Sequence, residues 1–203
     1  MGFRHRGNAI FAEEKVPPPG RFESMPMDRK LLNIELGRIS AERYGTLPDW
    51  GVAVVLDNVR SAYNVGSVFR TCDAFKVDRL YLCGICACPP SAEIHKTALG
   101  AESSVGWEHC DETLPLVERL RAEGYTVVSV EQTVHARKLD AFKPEAGKKY
   151  ALIFGNEVDG VDQAVVDASD MSLEIPQFGT KHSLNVSVSA GVVLWHFRLL
   201  RGA

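Results

Sequence analysis

From Trp50 to the C-terminus, short runs rich in β-branched residues alternate with stretches of helical spacing. "GVAVVLD" (51–57), "DRLYLCGI" (78–85), "YTVVSVE" (125–131), "KYALIF" (149–154) and "MSLEI" (171–175) read as buried strands. Between them, "VGSVFRTCDAF" (65–75), "SAEIHKTAL" (91–99), "ETLPLVERLRAEG" (112–124) and "VDQAVVDAS" (161–169) read as helices, and Ser183 to Leu200 as the last helix. This alternation restricts the chain to an α/β fold, a mostly parallel sheet with helices on both faces. Ligands of such folds sit at the C-terminal ends of the strands.

The segment ahead of this pattern is different. Residues 1–27 hold Pro17-Pro18-Pro19-Gly20 and little periodicity, which suggests an extended arm. Asp28 can cap a helix carrying Leu31, Leu32, Ile34, Leu36 and Ile39. The expected division is therefore 1–49, an arm and one helix, and 50–203, the main domain.

Composition removes several classes of function. No apolar run approaches the ~20 residues of a membrane span. Arg4, His5 and Arg6 have no long apolar core behind them, so no secretory signal is expected. Five cysteines, an odd number, read as reduced thiols in a cytosolic protein. Cys83, Cys86 and Cys88 with His95 offer half of a zinc pattern, but there is no second pair and Cys83 lies in an apolar strand, so no metal is expected. A net charge of −3 argues against coating nucleic acid by bulk charge. A local patch drawn from Arg60, Arg70, Lys96, Lys181 and His182 stays open.

Three loops after three strands carry the polar and glycine residues. The first, "LDNVRSAYNVGSVFRT", has Asn64, Gly66 and Arg70 but lacks the G-x-G-x-x-G of dinucleotide loops. The second is "FGNEVDGV" (154–161), with Gly155 and Gly160 around Glu157. The third joins Ile175 to Ser183 through seven residues, longer than most strand-to-helix connections. Each has a plain alternative: Asn64 or Ser183 as a helix cap, Arg70 and Asn185 on a solvated helix face, Glu157 as an exposed acid in a glycine turn.

In order and spacing the three loops resemble the motifs of the SpoU (TrmH) family of RNA 2′-O-ribose methyltransferases, in the SPOUT superfamily. Those motifs stand here as Asn64-x-Gly66-x-x-x-Arg70, Gly155-Asn156-Glu157-x-x-Gly160, and Ile175-Pro176 followed by Ser183-Leu184-Asn185-Val186-Ser187. The resemblance covers about residues 50–200. It implies a deep C-terminal trefoil knot, S-adenosylmethionine as cofactor, and a homodimer packed through the last helix. Cofactor contacts would fall on Gly155, Ile175 and Leu184, with Gly155 admitting the ligand close to the backbone. Catalytic and RNA-facing roles would fall on Asn64, Arg70, Glu157, Ser183 and Asn185. Arg70 would act on the ribose 2′-hydroxyl, as a base or as a phosphate anchor, possibly from the partner subunit. The short N-terminal part and the absence of a long C-terminal extension lean towards tRNA over rRNA. A non-catalytic RNA-binding relative and an α/β enzyme of another nucleotide are the competing readings.

Overall fold

The structure, a computed structural model, describes residues 28–37 and 39–201. The arm expected over 1–27 lies outside the described residues. The chain divides between Arg38 and Ile39 into two compact units, each described by itself.

In the first unit the expected helix over Asp28–Ile39 does not form. A single 3-10 turn, Asn33–Leu36, ends at Gly37, whose φ of 58° only glycine adopts easily. The Glu35 carboxylate folds back onto the Leu32 N–H (2.7 Å) and the Arg29 guanidinium (2.7 Å). Helix propensity over so short a stretch is too weak to overcome such local bonds.

The second unit begins with α1 (Ala41–Thr46), capped by Ser40. Tyr44 of this helix is buried and donates its hydroxyl to the Cys72 carbonyl, so α1 packs on the body that starts at Ile39. Then come β1 (Val52–Asp57), α2 (Ala62–Ala74), β2 (Arg79–Cys83), α3 (Ala92–Ala98), β3 (Trp107–Cys110), α4 (Thr113–Ala122) and β4 (Tyr125–Val130). The short β5 (Arg137–Lys138), β6 (Lys149–Phe154), α5 (Gln163–Ala168), β7 (Met171–Glu174) and α6 (Val186–Arg201) complete it.

All seven strands are parallel in the order β3-β2-β1-β6-β4-β7-β5. β1 is buried along its whole length, as a central strand covered on both faces must be. On one face Val54, Leu56, Leu152 and Phe154 pack with Phe69 of α2, Ile94 of α3 and Leu194 and Phe197 of α6. On the other, Ala53, Val55 and Ile153 pack with Leu116 and Leu120 of α4 and Val165 of α5. Each alternate residue of a strand thus enters a different core.

The polar edge strand β3 and the two-residue β5 were not expected, because neither has an apolar run. The last helix starts at Val186, not Ser183, which extends the third loop to residues 175–185. Among the described residues no helix is long and apolar enough to cross a membrane.

Candidate active site

The strands end in a shared rim. The carboxylate of Asp57, the last residue of β1, is buried and accepts from Thr113 Oγ1 (2.6 Å), Asn58 Nδ2 (2.9 Å) and the Asp162 N–H (2.9 Å). It ties β1 to the start of α4 and to the chain entering α5. Beside it, the ends of β4, β6 and β7 and the two long loops enclose a cavity of about 460 Å³. Gly155, Ile175 and Leu184 line it, and so do Glu157, Ser183 and Asn185. Asn64 and Arg70 do not.

Side chains from all three motif loops meet at this rim. Asn64 Nδ2 donates to Glu157 Oε1 (2.7 Å), and Asn185 Nδ2 donates to Asn64 Oδ1 (3.2 Å). The Glu157 carboxylate can only accept, so it fixes the Asn64 amide with its nitrogen towards Glu157 and its oxygen towards Asn185. Asn185 is held in turn. Its Oδ1 accepts from the Ser187 N–H (2.9 Å) and hydroxyl (2.6 Å), which makes it the cap of α6 rather than a residue on its flank. Asn64 is not the cap of α2. Ser61 is, accepting from the Asn64 N–H, and this frees the Asn64 amide for its long-range bonds.

Arg70 and Ser183 are exposed, and neither side chain makes a hydrogen bond or ion pair among the described residues. Arg70 lies six residues beyond Asn64, about 9 Å up the helix and two-thirds of a turn past a full turn. That puts it on a different flank of α2 from Asn64.

The glycines act differently from expectation. A Cβ on Gly155 would stand 1.9 Å from the Gly160 carbonyl carbon and 2.1 Å from the Val161 nitrogen. The tight loop closed by the Asn156–Gly160 bridge leaves no room there, so Gly155 is required by the chain itself before any ligand arrives. Gly160 has φ 73°, and its Cβ would meet Glu131 Oε2 at 2.2 Å. Gly66 is also a packing glycine. Its Cβ would lie 2.4 Å from the Ile94 carbonyl oxygen, where α3 crosses α2.

Two positioning residues escaped the sequence analysis. Glu131 accepts from the Val161 N–H (3.1 Å) and the Gln132 N–H (2.8 Å), strapping the glycine loop to the end of β4. Asp57 does the same for β1. The one available signal was shared: an acid directly at the end of a buried strand. The five cysteines are free thiols. The Cys86 sulfur accepts from the Val59 N–H, and burial pushes its thiol up to about 12; burial raises Cys83 as well. Such thiols stay protonated and are poor ligands.

A parallel sheet with its polar residues gathered on the C-terminal rim, around a cavity of ligand size, defines an α/β enzyme. This chain belongs to the SpoU rRNA Methylase family, whose model matches residues 51–195. It is 32% identical over 146 residues to a tRNA (guanosine(18)-2′-O)-methyltransferase from Aquifex aeolicus, covering 70% of this chain and 66% of that one. It is 29% identical to a 23S rRNA (guanosine-2′-O-)-methyltransferase from Neisseria meningitidis, covering 73% and 58%. The chain thus spans under two-thirds of each relative's length. Among solved structures, a TrmH/SpoU tRNA-modifying enzyme of A. aeolicus superposes with TM-score 0.68 at 25% identity, over 77% of this chain and 79% of that one.

Proposed function

We propose that the chain is an S-adenosylmethionine-dependent RNA methyltransferase acting on a ribose 2′-hydroxyl in the cytoplasm, with residues 50–203 as its methyltransferase domain. The observation that carries this is the Asn64–Glu157–Asn185 cluster, which joins the three motif loops at the rim of a cavity. Its two side-chain bonds join residues 93 and 121 positions apart in the sequence.

The cavity suits the cofactor. Its volume lies in the range of small-molecule sites. Ile175 and Leu184 offer apolar surface to an adenosine, and residues 155–160 and Gln177 line the wall. Bound there, the cofactor supplies a methyl group already activated on a sulfonium. The protein's own tasks are alignment and proton handling. The cluster presents a fixed array of amide and carboxylate groups on which a ribose can be oriented, and such alignment can supply several kcal/mol. Arginine remains protonated at any ordinary pH, so Arg70 is assigned to a phosphate, held by two parallel hydrogen bonds, and to polarising the adjacent hydroxyl.

Arg70 reaches the cluster from a second copy of the chain. On α6, Val188, Val192, Trp195 and Leu199 recur at helical spacing and all are exposed. Such a stripe fits an isologous homodimer. α2 lies beside α6, with the Phe75 and Trp195 rings 6.2 Å apart, so Arg70 stands in the same helical layer as the stripe. The expected knot is part of the same proposal. β7 sits between β4 and β5, the chain joining β5 to β6 contributes Leu139 and Phe142 to the α6 face, and β7 is entered from α5 on the opposite face. A segment that comes from one face and leaves to the other beside that connection supports the threading that the knot requires.

tRNA is the preferred substrate, and rRNA is the second reading, supported by the N. meningitidis relative. Incubation with labelled S-adenosylmethionine and unmodified tRNA or rRNA, followed by mapping of the ribose methyl, tests the proposal. Label in tRNA is expected; label in neither RNA refutes it. Light scattering should give about twice the 22.3 kDa chain mass.

A further inference from the structure

The third loop does more than wall the cavity. Gln177 and His182 both line it, so residues 178–181, all exposed, project beyond its rim. At that tip Phe178 is 98% exposed. Its ring meets no other ring among the described residues. Gly179 follows with open space around it, then Lys181 and His182, both exposed. Among the described residues no packing explains a phenylalanine here, since it covers none of the core. RNA is most often read in single-stranded loops and ends, whose bases are unstacked. Proteins that read such bases stack them on exposed aromatic rings, with cations alongside for the phosphates.

We propose that Phe178 stacks on a base of the RNA substrate adjacent to the nucleotide being methylated, with Lys181 facing the backbone. This rests on the function proposed above. An exposed ring with Lys181 three residues further on suits an RNA base.

The test compares Phe178→Ala, Phe178→Leu, Phe178→Tyr and Phe178→Trp in two assays. One is methyl transfer to unmodified tRNA and rRNA. The other is filter binding of the same RNAs with S-adenosylhomocysteine present. Phe178→Ala should raise the RNA KM and Kd about ten-fold, within the range lost on removing one stacked base. The kcat at saturating RNA and the affinity for S-adenosylmethionine should hold. Tyrosine and tryptophan should restore binding and leucine should not, because leucine keeps apolar bulk without a π-face. Unchanged KM and Kd in Phe178→Ala, or full recovery by leucine, would overturn the inference. So would loss of the dimer in Phe178→Ala, which would make the ring a protein contact. If the wild type binds RNA through Phe178 but methylates none, the proposed function falls and the stacking stands.

Discussion

Asn64 and Arg70 belong to one motif and one helix, yet their surroundings are opposite. Asn64 is bonded on both sides of its amide, to Glu157 and to Asn185, and Asn185 is itself held by Ser187. Arg70 is exposed and makes no hydrogen bond or ion pair among the described residues. The first arrangement is preorganised: its geometry exists before any ligand binds, so ligand binding need not supply the ordering. The second is a charged group waiting for a phosphate and a second subunit. The site therefore separates into a part that one chain completes and a part that it does not.

Removing the incomplete part should have the largest effect. Arg70→Ala should lower single-turnover methylation by at least ~10²-fold, the lower end of what a positioned proton-handling group contributes. Arg70→Lys should fail almost as badly, since lysine keeps the charge without the planar fork. Calorimetry should find S-adenosylmethionine affinity unchanged in both, because Arg70 does not line the cavity. Activity within a few-fold of wild type would return Arg70 to the solvated face of α2 and erase the contrast.

The completed part should break in another way. Gly155→Val places side-chain carbon on the backbone of Gly160 and Val161, so it should cost stability as well as cofactor binding, by about 1–3 kcal/mol or more as overpacking does. Thermal unfolding with calorimetry checks this. A mutant of wild-type Tm that has lost only the cofactor would mean that Gly155 answers to the ligand after all. Glu131→Ala should have a smaller effect. It leaves the Val161 N–H without its acceptor, at about 1–2 kcal/mol, and loosens the glycine loop so that cofactor affinity falls. Glu131→Gln should recover part of both losses, because the amide oxygen can still accept.

The same contrast separates what the sequence discloses from what it hides. Asn64, Glu157 and Asn185 were legible as candidates because three polar loops follow three apolar runs, and a parallel sheet brings such loops to one edge. The buried strands were legible for the same reason. β3 and β5 were not, since an edge strand with residues such as Trp107-Glu108-His109-Cys110 has only its pairing with β2 to define it. Nor could spacing reveal why Gly155 and Gly66 must be glycine, because the atoms that crowd them come from other elements, Gly160 and Ile94. The start of α6 moved because the Asn185 side chain caps better than that of Ser183, and a cap is a matter of geometry.

One mixing experiment reaches the central claim, that Arg70 serves the cluster of the other chain. Arg70→Ala and Glu157→Ala chains, each inactive alone, are unfolded together and refolded at equal concentration, and methylation of tRNA is measured. Half of the dimers should be mixed, and each mixed dimer should hold one site with an intact cluster and an intact arginine from across the interface, so about a quarter of wild-type activity should return. If the mixed dimers form and no activity returns, Arg70 and the cluster must act within a single chain, and the shared site is wrong.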